Sequence, residues 1–196
     1  MPSNLVEPVV SSLTGAILFW GQARKILVLP PFPLNEQYFT NDYEVEPLRL
    51  MLERELKVAL VLIRLGAYAI GVARNETLIS AKAGTGLVHA RHKKGGSSQG
   101  RFARHREKQI EQFLSRVCGR VREQLEPDNK TVDYLVYGGA QTTIRLLKKQ
   151  CPFLGQFEGR VLRLLLSIER PCRAVLEDSV ADIWSSRVTE WREAES

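Results

Sequence analysis

Residues 58–82 read VALVLIRLGAYAIGVARNETLISAK. Three short runs rich in β-branched and small apolar residues, Val58–Arg64, Ala67–Ala73 and Thr77–Lys82, are separated by turn signals at Leu65-Gly66 and Arg74-Asn75-Glu76. Connectors this short join antiparallel neighbours, because a parallel crossover needs roughly a dozen residues. The stretch therefore predicts an antiparallel meander, and the rest of the chain has to be fitted around it.

C-terminal to the meander the period changes. A glycine-rich loop from Gly84 to Gly100 gives way to a long helix, with Ile110, Phe113, Leu114, Val117, Cys118, Val121 and Leu125 on one face and Pro127-Asp128-Asn129 as its stop. A strand at Val132–Tyr137, a helix near Gln141–Lys149 and a strand at Val161–Ile168 follow, the last ended by Pro171. Leu176, Val180, Ile183, Trp184, Val188 and Trp191 predict a closing amphipathic helix. Strands alternating with helices after a meander give an α/β (α+β) domain, a mixed β-sheet with flanking helices. N-terminal to the meander lie β-rich pieces at Ile17–Trp20 and Lys25–Leu29, a Pro30–Pro33 connector and a polar loop with Tyr38, Phe39 and Tyr43. A helix then has Pro47 in its first turn and Leu48, Met51, Leu52 and Leu56 at helical spacing. The expected division is a small extension at 1–57, packed on or next to a core domain at 58–196.

The chain has 196 residues, enough for one or two domains, and its 44% hydrophobic and 26% charged residues argue against wholesale disorder or a coiled coil. The apolar run Ala16–Trp20 is far short of the ~20 residues of a membrane span, and no basic segment precedes it as in a secretory signal. No membrane and a cytoplasmic location are expected. Cys118, Cys151 and Cys172 are odd in number and lack Cys-x-x-Cys spacing, which predicts reduced thiols and no metal knuckle. The net charge of +6 is concentrated. Between Arg91 and Arg122 ten Lys or Arg face two acids, a balance of +8, which leaves −2 for all other residues. Such a cationic segment calls for a polyanionic partner.

Lys93-Lys94-Gly95-Gly96-Ser97-Ser98-Gln99-Gly100-Arg101 is the centre of that segment. Its glycines permit close backbone approach to a ligand, and its flanking cations attract phosphates. At 100° per residue Arg101, Arg104, His105 and Lys108 project opposite Ile110, giving a basic helix face behind the loop. Other phosphate loops fit worse: Gly-x-x-x-x-Gly-Lys-Ser/Thr is absent, and Gly84-Thr85-Gly86 lacks the third glycine of a dinucleotide site. His89-x-x-His92 resembles a ligand pair, but it sits among cations that repel a metal ion, so no metal and no cofactor are expected. Gly138-Gly139-Ala140-Gln141 also pairs two glycines with a glutamine. It directly follows a strand, so it reads as a strand-to-helix turn.

Residues 95–108, Gly-Gly-Ser-Ser-Gln-Gly-Arg-Phe-Ala-Arg-His-Arg-Glu-Lys, resemble the catalytic loop and first helix turns of archaeal and eukaryotic class-1 peptide-chain release factors, where Gly-Gly-Gln precedes a similar Arg-Phe-Ala-Arg run. Here Ser97 and Ser98 separate the glycine pair from Gln99. The resulting Gly-x-x-Gln is more similar to the Vms-like release-factor domain of the valosin-containing-protein-associated mitochondrial stress-responsive protein and its actinobacterial and chloroflexi-type bacterial relatives. The resemblance implies an RNase H-like fold, docking of a monomer at the peptidyl-transferase centre of the large ribosomal subunit, and hydrolysis of peptidyl-tRNA. It implies catalytic roles for Gln99, Gly95, Gly96, Ser97, Ser98 and Gly100, and RNA contacts from Arg91, His92, Lys93, Lys94, Arg101, Arg104, His105 and Lys108.

The first 57 residues do not look like a codon-reading module, so rescue of stalled ribosomes is expected in place of termination at stop codons. Two alternatives stand beside it: a non-catalytic large-subunit or RNA-binding factor, and an endonuclease cutting near the tRNA 3′ end, an activity linked to the eukaryotic relative. A metal-dependent RNase H-type nuclease is disfavoured, because the three meander runs carry no Asp or Glu to hold two divalent ions.

Overall fold

The computed structural model describes residues 3–34, 36, 37, 39–89 and 99–192. In chain order these form α1 (Ser3–Ser11), β1 (Ile17–Trp20), β2 (Lys25–Leu29), α2 (Glu46–Glu53), β3 (Lys57–Arg64), β4 (Ala67–Arg74) and β5 (Thr77–Thr85). They continue with α3 (Gln99–Leu125), β6 (Tyr134–Gly139), α4 (Gln141–Gln150), a 3₁₀ segment (Pro152–Arg160), β7 (Val161–Leu166), α5 (Arg173–Trp184) and β8 (Arg187–Trp191). The chain divides into two compact units, residues 56–180 in one and residues 1–55 with 181–196 in the other.

In the larger unit the meander forms as its turn residues require. Gly66 turns β3 into β4 at φ +95°, and Asn75, at φ +52°, turns β4 into β5. Asparagine tolerates this left-handed conformation better than most residues, and here its side chain is also used: Asn75 Oδ1 accepts the Leu56 N–H at 2.9 Å. The sheet order is β5-β4-β3-β6-β7. The meander pairs are antiparallel, whereas β3–β6 and β6–β7 are parallel. This is the RNase H-like mixed sheet expected above.

Val58–Ile63 and Tyr68–Ala73 are buried without interruption, on both faces of β3 and β4. That explains why their sequences do not alternate apolar with polar. One face carries Val61, Ile63, Ile70, Val72 and Leu135 against Phe113, Val117 and Val121 of α3 and Ile144 and Leu147 of α4. On the other face Gly71 leaves room for Leu176 of α5, whose Cδ2 would lie 2.7 Å from a Cβ placed there. At the start of β3, Lys57 Nζ donates to Asp128 Oδ1 at 2.8 Å and Thr131 Oγ1 at 3.0 Å, while its N–H reaches Asp133 Oδ2 at 2.8 Å. These bonds pin the segment after α3 to the strand on which β6 will pair.

The smaller unit holds a three-stranded antiparallel sheet of order β1-β2-β8. Here the expected closing helix is corrected. It ends at Trp184, and Arg187–Trp191 is a strand whose register with β2 runs from Lys25 opposite Trp191 to Leu29 opposite Arg187. Ser185 Oγ donates back to the Ala181 carbonyl at 2.9 Å, a local bond that competes with helix continuation, and pairing with β2 then gives the strand backbone its partners. Residues 181–196 therefore group with residues 1–55 and not with the core domain to which the sequence division gave them. Helix α1 and the 3₁₀ segment stand where no element was expected. Among the described residues no helix is long and apolar enough to cross a membrane.

The expectation of reduced thiols is also corrected. Cys118, on the flank of α3, and Cys151, capping the end of α4, form a disulfide with their Cα atoms 5.3 Å apart. Helix packing brings them together across 33 residues of chain. Cys172 is free.

Candidate nucleic-acid interface

The 27 residues of α3 span about 40 Å at 1.5 Å per residue. Only part of that length is anchored. Phe113, Leu114, Val117, Val121 and Leu125 are buried, Ile110 and Cys118 half-buried. Before Ile110 the pattern stops. From Gly100 to Lys108 every residue except half-buried Arg106 is exposed, and Phe102 keeps 56% of its surface in solvent. About the first 16 Å of the helix thus projects past the core that holds the rest.

Four of the eight residues expected to contact RNA lie on this projection. Arg101, Arg104 and Lys108 lie opposite Ile110 with His105 beside them, all exposed. Among the described residues none of the three cations has an ion-pair partner, so their charge faces solvent uncompensated. Arg106 behaves differently. It lies only 40° from Ile110 on a helical projection, on the side of the body, and its Nε donates to the His89 carbonyl at 3.0 Å. Gln109 Oε1 accepts the His89 N–H at 3.2 Å, and the rings of His89 and His105 are 6.4 Å apart. Sequence reasoning counted Arg106 only as charge; its angular position was the signal that it is a tether.

Gln99 opens α3, so the N–H groups of that first turn have no acceptor within the helix and carry the positive end of its dipole. No described atom lies within 4 Å of a Cβ built on Gly100. Nothing described within the chain demands glycine at that position. Arg91, His92, Lys93, Lys94, Gly95, Gly96, Ser97 and Ser98 lie outside the described residues.

The second glycine pair has a structural use. Gly139 sits at φ +104°, where a Cβ would strike the Ile63 carbonyl oxygen, and a Cβ on Gly138 would come within 2.6 Å of Leu62 Cδ2. Gln141 then opens α4 directly. Gly138-Gly139 makes the strand-to-helix turn that the sequence suggested.

Residues 56–189 match the family model described as Actinobacteria/chloroflexi VLRF1 release factor. The chain is 26% identical over 113 residues to peptide chain release factor subunit 1 of Archaeoglobus fulgidus, covering 58% of this chain and 28% of that protein. It is 29% identical over 119 residues to the same subunit of Methanopyrus kandleri, covering 60% and 29%. The chain thus spans under a third of the length of these relatives. Among solved structures it is similar to the Vms1 mitochondrial localization core, with a TM-score of 0.51 and 13% identity over 94% of this chain and 80% of that one, a likeness of fold.

Proposed function

The chain belongs to the Actinobacteria/chloroflexi VLRF1 release factor family, and on that premise we propose that it binds the large ribosomal subunit and hydrolyses peptidyl-tRNA there without reading a stop codon, as in rescue of stalled ribosomes. The observation that carries the reading is the projecting first third of α3, with Gln99 and Gly100 at its tip and an uncompensated cationic face behind them. A narrow RNA-walled site needs a probe of this kind: a slender element whose reactive end arrives first, held by phosphate contacts along its shaft.

The chemistry asked of the tip is modest. The bond to be broken is the ester between the peptide and the 3′ ribose oxygen of the tRNA. A water oxygen attacks the ester carbon, negative charge builds on the carbonyl oxygen, and the C–O bond to the ribose breaks as that oxygen regains a proton. The free peptide carboxylate and the tRNA 3′ hydroxyl are the products. In this reading Gln99 contributes orientation of the water or of the leaving oxygen, and the positive end of the helix supports the developing anion. Gly95, Gly96 and Gly100 keep the approach narrow, and Arg101, Arg104 and Lys108 hold RNA phosphates. Ser97 and Ser98 lengthen the approach by two residues relative to Gly-Gly-Gln. Their placement matters, since a ~1 Å displacement of the attacking water can cost ~100-fold in rate.

The test is release of labelled peptide from isolated large subunits carrying peptidyl-tRNA, with Gln99→Ala beside the wild type. A loss of about 100-fold or more is expected, the scale of removing one transition-state donor. Equal rates in the two proteins, or no release by either, would overturn the catalytic reading. Ribosomes with a sense codon or a stop codon in the decoding site should release at equal rates, and a stop-codon preference would remove the codon-independent part. Electrophoresis of the tRNA product separates ester hydrolysis, which leaves the 3′ terminal nucleotides in place, from strand cleavage.

A further inference from the structure

We propose that the RNA-binding surface does not end at the projecting tip but continues down one flank of α3 through Arg116, Lys82 and Arg120, forming a second contact for the sugar-phosphate backbone of an extended RNA. This rests on the reading above that the protein works on RNA, and adds a site that reading does not contain.

The two flanks of α3 are unlike. On a helical projection Gln109, Arg116 and Arg120 fall on one side of the buried face, and Glu107 and Glu111 on the other. Contacts fix which side is which. The Arg116 guanidinium lies 3.7 Å from a Cβ built on Gly86, just after β5. Glu107 and Glu111 instead border a crevice with Leu146, Lys149 and Gln150 of α4, and Gln150 Nε2 donates to the Glu111 carbonyl at 2.8 Å. Arg116 and Arg120 therefore face the β5 side, with Glu123 beside Arg120, and Glu107 and Glu111 face the α4 side, with Arg122 over Phe153 further along it.

The sheet adds to the cationic flank. Lys82 on β5 is paired with Ile70, whose side chain belongs to the core under α3, and directly opposed residues share a face. Exposed Lys82 thus stands on the α3 side of the edge strand, with only Ser80 and Gly84 as its same-face neighbours on β5. The Tyr68 ring covers Gly84, its hydroxyl 2.6 Å from a Cβ placed there, so Lys82 is the side chain of that face that reaches solvent. Arg116 is exposed and has no ion-pair partner among the described residues. Arg120 is held by Glu123 at 2.6 Å and contributes less free charge.

Spacing identifies the ligand class. From Arg104 to Arg116 the helix rises about 18 Å, beyond the reach of one phosphate and suited to a strand or duplex of several nucleotides. Glu107 and Glu111 repel phosphates from the opposite side, so the RNA is directed along the β5 flank. Contacts of this type read charge and not base sequence.

The experiment is fluorescence anisotropy with a 20-base-pair RNA duplex over a range of KCl concentrations. Lys82→Glu with Arg116→Glu should weaken binding about 10-fold or more and lower the salt slope by about 2, one for each phosphate no longer neutralised. The melting temperature should stay unchanged, and Lys82→Ala with Arg116→Ala should give the same slope with a smaller loss. Arg101→Glu with Arg104→Glu probes the tip separately. Loss in the tip variant with wild-type affinity and slope in the flank variant overturns this inference and leaves the tip reading intact. The converse overturns the tip contacts and leaves the flank. Glu107→Gln with Glu111→Gln should not weaken binding, and a loss there as large as in the flank variant would overturn the sidedness.

Discussion

The outer and inner parts of α3 are one continuous helix made under opposite constraints. From Ile110 to Leu125 an apolar stripe decides the sequence: Phe113 is 1% exposed and Val117, Val121 and Leu125 are wholly buried. From Gly100 to Gln109 no residue is buried, and four cations and a histidine stand in about three turns with one acid, Glu107. The inner part contributes stability and offers little outward chemistry. The outer part offers chemistry and draws its helical state from the segment that continues it, because isolated helices of this length are marginal in water. A projecting probe can be rigid only if its root is well fixed.

Cutting the root should give the largest effect. Phe113→Ala removes a ring packed beside Tyr68, with ring centroids 6.4 Å apart, and should cost about 3–5 kcal/mol in urea unfolding. Replacing both Cys118 and Cys151 by Ser opens the 33-residue closure between α3 and α4, at about 3–4 kcal/mol on the chain-entropy account. Reducing agent should lower the wild-type melting temperature and leave the double variant unmoved. Removing the half-buried anchor at the far end of α3, Asp128→Ala, deprives Lys57 Nζ of its 2.8 Å partner and should cost about 1–3 kcal/mol. Smallest on this scale is Arg104→Ala in the outer part, within about 0.5 kcal/mol of wild type in stability. Its effect belongs in the salt dependence of RNA binding, where the slope should fall by about 1. If Arg104→Ala unfolded the protein as readily as Phe113→Ala, the contrast between the two parts would collapse.

Local pattern carried the prediction furthest where neighbouring residues decide the structure. The meander, its two turns and the buried stripe of α3 follow from apolar runs, Gly66, Asn75 and helical spacing. Helix α4 was placed to within a residue for the same reason. The misread last strand and the missed disulfide share a cause, since each depends on a partner distant in sequence. Val188 and Trp191 continue the helical spacing of Ile183 and Trp184, and only the presence of β2 makes them a strand. Nothing in the neighbourhoods of Cys118 and Cys151 announces their meeting. At the candidate site the cationic face of Arg101, Arg104 and Lys108 was readable from angles alone. The β5 flank was not, because Lys82 joins Arg116 only once the sheet register is known.

The parallel pairing of β3 with β6 has a consequence for how the protein is made. Val58 pairs with Tyr134, so the middle of the sheet joins segments separated by the entire meander and α3. On a translating ribosome β3, β4 and β5 can pair as soon as they emerge, but one edge of β3 then waits for about 50 further residues, roughly 2–10 s at ordinary synthesis rates. That edge is the run Val58–Ile63, apolar on both faces and without a charge. It is the kind of open strand that recruits other chains. The interval before β6 arrives therefore favours aggregation through this edge, and slowing synthesis between residues 86 and 134 should lower the soluble yield more than an equal pause between residues 140 and 160.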